Sequence, residues 1–221
     1  MPDMLVAMDE DSYPAIDLDN PIIPLTAVDR ELLSMKDEDY HRHTWEDLKE
    51  IIANNSLETL KRLPSDLRRY FRWSASIKQQ YGGIVPFVIQ ERLHWTPIFP
   101  EGPPQFDHIS DIPFANPRDF AVLRNDWPYG FEAGITHLVV WTKTPIETDS
   151  DRGDVTAASR QVVEDFVRRY FVADLERGEE RVQWFKNWVS LQSVRGLDHI
   201  HVLVKDVPEQ LIEKWCSRKD L

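Results

Sequence analysis

The chain has 221 residues, of which 42% are apolar and 29% are charged, and its formal net charge is −12. This length and composition predict one globular domain with a substantial core. Such acidity argues against proteins that bind nucleic-acid phosphates or anionic membranes. The single cysteine, Cys216, excludes an intramolecular disulfide framework and a cysteine-based zinc cluster.

The N-terminal region is acidic and lacks the features of a secretion signal. Residues 1–43 hold 11 Asp and Glu against 3 Lys and Arg, with no basic segment leading into an apolar core. No apolar run approaches the roughly 20 residues that span a bilayer. We therefore expect a cytoplasmic protein, with the nucleus as the alternative. It would have a partly disordered acidic tail at 1–40 and a single α+β domain at 41–221.

The first part of that domain, residues 44–83, is predicted to be helical. Thr44 can cap a first helix, and residues 56–63 form a second, short one. Ser65 is expected to cap a third helix that ends at the glycine pair 82–83.

Residues 84–95 are mixed in polarity but rich in apolar side chains, and they predict a strand around Pro86. Residues 96–118 contain six prolines and predict a long irregular loop.

The remaining elements form strand pairs separated by one helix. Four strands are predicted, at residues 119–125, 136–142, 183–191 and 199–205. A helix with a continuous apolar stripe is predicted between the two pairs, at 155–175, and another follows at 208–217. This order favours an antiparallel α+β fold with the N-terminal helices packed on the sheet.

The stretch GLDHIHVLV, residues 196–204, carries two histidines inside a predicted strand. Side chains two apart on a strand share a face, so His199 and His201 should lie together. If the last two strands form a hairpin, Asn187 and Ser193 converge on the same place. A neutral imidazole can attack phosphorus, and an amide and a hydroxyl can bind phosphate oxygens.

Other interpretations of the histidine pair remain open. A His-x-His pair on a strand is often structural or merely exposed. The pair could also ligate zinc together with His137 or Asp198, although no third ligand is marked by the sequence. We expect no cofactor, with zinc as the alternative.

The connection between the first two strands offers further candidate ligand contacts. Trp127 or Tyr129 could stack on a ring, and Asn125 or Asp126 could accept hydrogen bonds from hydroxyls, although a turn with aromatic packing explains the same residues. Arg124 and Lys143 are the positive charges nearest to the expected pocket, which an anionic ligand would need, although both are equally explained as surface residues. Arg195 lies in the turn before the histidine strand. The full set of candidate ligand-binding residues is Asn125, Asp126, Trp127, His137, Lys143 and Arg195.

The sequence HIHVLV, preceded by Asn187 and Ser193, resembles the signature strand of the histidine-triad superfamily of nucleotide hydrolases and transferases. The resemblance covers roughly residues 118–205. It implies an antiparallel histidine-triad-like half-sheet with one crossover helix. In the mechanism it implies, His199 attacks phosphorus to form a phosphoramidate.

In the same mechanism, the remaining groups hold the ligand. His201 and Ser193 bind phosphate oxygens, Asn187 orients the site and Asp126 contacts a sugar hydroxyl. The superfamily pattern has three alternating histidines, and this chain departs from it. In the favoured register Leu197 occupies the first position; in the other register Leu203 occupies the third.

Two long segments, NDWPYGFEAGITHLVVWTK and WFKNWVSLQSVRGLDHIHVLV, resemble the fungal family of N-acetylglucosamine-induced proteins, which has no assigned biochemical activity. The resemblance implies a link to the amino-sugar response. We therefore expect a pocket for a nucleotide, nucleotide sugar or sugar phosphate, with hydrolysis or transfer as its chemistry. The alternative is a non-catalytic sugar-nucleotide sensor or a protein-interaction regulator. Nucleic acid and membranes are not expected partners.

Overall fold

The computed structural model describes residues 25–99, 101–151 and 153–217. Residues 1–24, most of the predicted acidic tail, lie outside this range. The described end of the tail contains helix α1, Ala27–Ser34, whose N-terminus is capped by Thr26. No helix in the described ranges is long and apolar enough to cross a membrane.

The fold is organised around a four-stranded antiparallel sheet with the strand order β1-β2-β4-β3. The strands are β1 Phe120–Arg124, β2 Ile135–Thr142, β3 Val182–Phe185 and β4 His199–Lys205. Their β-branched and aromatic residues favour pleated backbone. The predicted α+β class and the strand order along the chain are therefore confirmed.

The third strand is shorter than predicted. Its pairing with β4 ends at Phe185, opposite His201. Trp188 then donates a hydrogen bond from its indole to the side chain of Asn55 at 3.2 Å, which holds this segment against the N-terminal helices. A short 3₁₀ turn at Val189–Leu191 replaces the predicted end of the strand.

One face of the sheet packs against two helices, α5 Ala157–Tyr170 and α7 Glu209–Ser217. Phe166 and Trp215 are almost completely buried there, among the apolar side chains of β2 and β4. Full burial of one such side chain contributes roughly 1.5–3 kcal/mol. The predicted crossover helix thus supplies much of the main core.

The opposite face is covered by the N-terminal helices, as predicted. They include α2 Trp45–Ala53 and α3 Pro64–Tyr81, and the predicted cap at Thr44 is confirmed. The predicted cap at Ser65 is wrong, because its hydroxyl donates to Asp37 at 2.6 Å while Pro64 begins the helix.

Two other predictions in this layer need correction. The short helix expected at 56–63 is only a 3₁₀ turn, Leu57–Thr59. The strand expected at 84–95 is wrong, because this segment forms helix α4, Ile84–Phe87, followed by a π-helix, Val88–Leu93. Pro86 lies in the first turn of α4, where its missing N–H costs no helical hydrogen bond.

Gly178, in the short helix α6 Gly178–Arg181, lies tightly against the backbone of Val172. A β-carbon at this position would overlap the Val172 carbonyl oxygen. Backbone cannot move aside as a flexible side chain can. We expect Gly178→Ala to lower the free energy of unfolding by about 1–3 kcal/mol in urea denaturation. Glu179→Ala, at the exposed neighbouring position, is the control, and equal stability of both variants would contradict this packing.

Candidate functional site

The three histidines of the central strands lie on one face of the sheet. In the β2–β4 pairing His137 is opposite Leu203, Val139 is opposite His201 and Trp141 is opposite His199. Because side chains alternate along a strand, all three imidazoles point toward the N-terminal helices. Each is buried, with at most 7% of its surface exposed. The prediction that His199 and His201 share a face is confirmed.

A cavity of about 90 Å³ lies between this face and the helical layer. Most of the site residues predicted from the sequence line this cavity. The predicted residues in its lining are Asn125, Asp126, Trp127, Asn187, Ser193, His199 and His201. His137 lies next to the lining, in contact with His201.

Two positively charged residues among the predicted ligand contacts, Lys143 and Arg195, lie outside the cavity lining. The Lys143 ammonium lies 5.6 Å above the ring of Trp95. Arg195 is exposed and borders a separate surface depression with Asp149 and Asp151.

Arg124, at the end of β1, does line the cavity, and further positive charge comes from the helical layer. Arg62 and Arg92, together with the aromatic rings of Tyr70 and Trp73, complete its wall. Sequence reasoning missed these residues, because α3 and its flanks meet the sheet only in the tertiary fold. The cluster of basic residues along α3 does not identify them, because Arg62 and Arg92 lie outside that helix.

A chain of hydrogen bonds fixes two of the imidazoles. The amide nitrogen of Asn187 donates to His201 Nε2 at 3.2 Å and to the Tyr129 hydroxyl at 3.0 Å. With Nε2 accepting, His201 carries its proton on Nδ1 and donates to His137 Nε2 at 2.9 Å. Both nitrogens of His201 are therefore occupied.

His199 is held differently. Its Nδ1 lies 2.7 Å from the carbonyl oxygen of Leu197, which can only accept, so Nδ1 carries the proton. The lone pair is then on Nε2, which has no hydrogen-bond partner among the described residues. The ring packs against Trp141 at a centroid distance of 4.5 Å. The contact with the main chain thus leaves the lone pair on Nε2 of a residue that lines the cavity.

All three imidazoles are neutral at physiological pH. Burial lowers the pKa of His137 to about 3 and the pKa of His199 to about 4. Burial, followed by the charges of neighbouring groups, holds the pKa of His201 well below its ordinary value. Neutral imidazole is the form that acts as a nucleophile or a base.

The two arginines from the helical layer, Arg62 and Arg92, have different partners. Arg92 forms an ion pair with Asp126 at 2.8 Å, so that carboxylate is already engaged. The Arg62 guanidinium carbon lies 4.1 Å above the Tyr70 ring, and Nε donates to the Trp127 carbonyl at 3.2 Å. The terminal nitrogens of Arg62 have no hydrogen-bond partner among the described residues. They are therefore suited to bind an anion.

Three buried polar atoms in the lining have no hydrogen-bond partner among the described residues. They are the indole nitrogen of Trp127, Nε of Arg92 and Oδ1 of Asn187. Such a group costs about 1–3 kcal/mol when it is buried without a partner. Their mixture of donors and an acceptor is typical of a cavity that binds a polar molecule.

A group of side chains with the spacing of metal ligands lies elsewhere in the described part of the chain. His41, His43 and Asp47 form a group whose donor atoms lie within 4.8 Å of one another. His201 has both nitrogens engaged by Asn187 and His137. The zinc alternative considered for the histidine strand therefore gains no support from this arrangement.

Comparison with known proteins finds fungal relatives of similar length. A family model described as protein of unknown function, DUF3605, matches residues 44–205. The chain is 30% identical over 185 residues to N-acetylglucosamine-induced protein 1 of Candida albicans, covering 79% of this chain and 72% of that protein. It is 31% identical over 160 residues to the uncharacterized protein YPL067C of Saccharomyces cerevisiae, covering 72% and 77% respectively.

A solved structure also resembles this fold. The crystal structure of HTC1 aligns with a TM-score of 0.60 at 29% identity, covering 78% of this chain and 92% of HTC1. The predicted resemblance to the N-acetylglucosamine-induced family is confirmed by these relatives. The histidine-triad-like interpretation of the site remains a prediction.

The buried imidazoles predict that the fold loses stability as the pH falls. The unfolded chain protonates each histidine near pH 6.5, whereas the folded chain keeps the His199 ring neutral down to about pH 4. The contribution of each buried neutral imidazole to the free energy of unfolding is therefore fully present above pH 6.5 and decreases below it. Between pH 7.5 and 5.5 we expect a loss of about 1 kcal/mol for each buried ring, measured by urea unfolding.

Two variants separate this effect from general acid sensitivity. His201→Asn removes one buried imidazole and should weaken the pH dependence, whereas His94→Asn changes an exposed histidine and should leave it unchanged. Equal unfolding free energies of the unmodified protein at the two pH values would contradict the burial of neutral rings.

Proposed function

The chain belongs to the DUF3605 family, and we propose that its histidine-lined cavity binds a small phosphorylated ligand and attacks its phosphorus through His199. The ligand classes considered are a nucleotide, a nucleotide sugar and a sugar phosphate. The observation that carries the proposal is the tautomer of His199. Its proton is committed to the Leu197 carbonyl, and its Nε2 lone pair is available at the cavity.

The proposed chemistry is an in-line substitution at phosphorus. His199 Nε2 forms a bond to phosphorus while the bond from phosphorus to the leaving oxygen breaks, and that oxygen takes a proton from solvent. Water, or another hydroxyl in a transfer reaction, then displaces Nε2 and loses its proton. The histidine returns to its neutral form, and no redox partner or external cofactor is needed.

Several cavity groups are suited to hold the anion. Arg62 offers guanidinium donors, Trp127 offers a buried indole N–H, and Ser193 contributes a hydroxyl at the mouth. Charge-assisted hydrogen bonds of this kind are the strongest that proteins make to phosphate. Asn187 then acts mainly by orienting His201.

The size of the cavity favours a compact group. Its volume of about 90 Å³ is smaller than the roughly 300–1,000 Å³ of pockets that enclose whole drug-sized ligands. A phosphoryl group, with the adjoining part of a sugar, would therefore enter, while the remainder of a nucleotide would lie outside.

A second candidate function is non-catalytic sensing of the same ligands. The name of the Candida albicans relative describes induction by N-acetylglucosamine, which supports an amino-sugar ligand or response for this chain as well. Leu197 in place of the first triad histidine favours sensing, because an apolar side chain there cannot assist proton transfer.

We expect nucleotide sugars or amino-sugar phosphates to raise the melting temperature of the full chain. A ligand at 100 times its dissociation constant stabilises the fold by about 2.7 kcal/mol. His199→Ala should abolish product formation from any ligand that is turned over, by on the order of 10³-fold or more. Thermal-shift measurements with phosphorus NMR of the products test both effects.

The outcomes separate the two candidates. Product that depends on His199 supports substitution at phosphorus, and a melting shift without product supports the sensor. His94→Asn, on the surface, should behave as the unmodified chain. If no ligand in the panel shifts the unmodified chain, both candidates fail.

Arg62 should set the affinity for the anionic part of the ligand. Removing a charged donor of this kind costs about 1.5–3 kcal/mol, so Arg62→Ala should weaken binding by about 10- to 100-fold in calorimetric titration. Arg62→Lys keeps the charge and should lose less. Arg69→Ala, an exposed arginine of the neighbouring helix α3, is the matched control. Equal affinities for Arg62→Ala and Arg69→Ala would contradict the assignment.

A further inference from the structure

Outside the cavity, two imidazoles and a carboxylate meet at the start of helix α2. They belong to His41, His43 and Asp47, and their donor atoms all lie within 4.8 Å of one another. We propose that these three side chains form a binding site for one divalent first-row transition-metal ion, with zinc as the probe of choice. This inference is independent of the proposed function.

The spacing is close to that of a coordinated ion. His41 Nε2 lies 3.0 Å from Asp47 Oδ2, and the two imidazole rings are perpendicular with centroids 6.0 Å apart. Ligand atoms around tetrahedral zinc lie about 3.4 Å apart, so the group needs to contract only slightly. The His41 side chain is 75% exposed and is free to make that movement.

The other two ligands are held by the backbone around them. The His43 main chain forms a bridge to the loop after β1, donating to Gly130 and accepting from Glu132, both at 3.0 Å. The Asp47 carboxylate accepts from the Thr44 amide at 2.8 Å in the capping box of α2. Ligands fixed on rigid elements lose little conformational freedom when an ion binds.

The donor set selects the class of ion. Two imidazoles and one carboxylate suit zinc and its transition-metal neighbours, whereas calcium and magnesium prefer oxygen ligands only. Three protein ligands leave the remaining coordination positions to water.

An ion bound here would join two parts of the fold. His43 pairs with the loop that contains Tyr129 and Phe131, and the Tyr129 hydroxyl contacts Asn187 at the histidine cavity. The ion would therefore fasten the start of α2 to one wall of that cavity. Its expected effect is structural, a higher melting temperature of the loaded chain.

The test uses the full chain without a histidine affinity tag, treated with a chelator and then dialysed. Isothermal titration with zinc chloride should show one ion per chain, and zinc should raise the melting temperature. His41→Ala and Asp47→Asn should each weaken binding by at least tenfold. Because His41 is exposed, its variant keeps the fold and isolates the loss of a ligand. Calcium chloride should give no comparable binding.

Two further variants distinguish this site from other histidines. His94→Asn, on the surface, and His199→Ala, in the cavity, should both bind zinc as the unmodified chain does. Absence of stoichiometric zinc binding would overturn the proposal. Zinc binding lost in His199→Ala but kept in His41→Ala would also overturn it, because the ion would then lie in the cavity.

Discussion

The register between β2 and β4 is the constraint on which the rest of the structure depends. It places His201 opposite Val139 and His199 opposite Trp141, and so collects the polar side chains on the face that meets the helices. The alternate residues, such as Val140 and Ile200, are completely buried in the core on the other face. A shift by one residue would exchange the two faces, burying the imidazoles in the apolar core and removing the cavity's floor.

The electrostatic character of the site follows from this placement. Imidazoles enclosed by apolar and aromatic neighbours lose more solvation when charged than when neutral, so they remain uncharged. Positive charge comes from guanidinium groups, which keep their protons under all physiological conditions. The cavity therefore combines two kinds of group: neutral imidazole nitrogens on the central strands, and the permanent cations Arg62, Arg92 and Arg124 around them. This division is suited to a ligand with a negatively charged group and an electrophilic centre.

Sequence periodicity predicted the half of the site that lies on strands. The alternation around His199 and His201, and the preceding Asn187 and Ser193, identified the cavity floor because strand geometry is regular and local. Arg62 and Arg92 escaped prediction, since their approach to the sheet depends on how distant helices pack. The periodicity of the sequence does not encode how those helices pack against the sheet.

The errors in secondary structure have a similar physical origin. Residues 84–95 are rich in β-branched side chains, a weak preference that the helical packing around Phe87 overrides. Lys143 directly follows β2 and Arg195 shortly precedes β4, but their side chains extend toward other surfaces. Sequence distance from a motif is therefore a poor guide for long charged side chains.

The contact between His199 and Leu197 has a consequence for how the motif can evolve. The group that fixes the tautomer is a main-chain carbonyl, which every amino acid supplies. The Leu197 side chain itself packs in the apolar cluster between sheet and helices. Replacement at this position changes the packing and leaves the proton on Nδ1 where it was. A lineage could thus exchange a polar side chain for an apolar one here, and later reverse the exchange, while the neighbouring ring keeps its orientation.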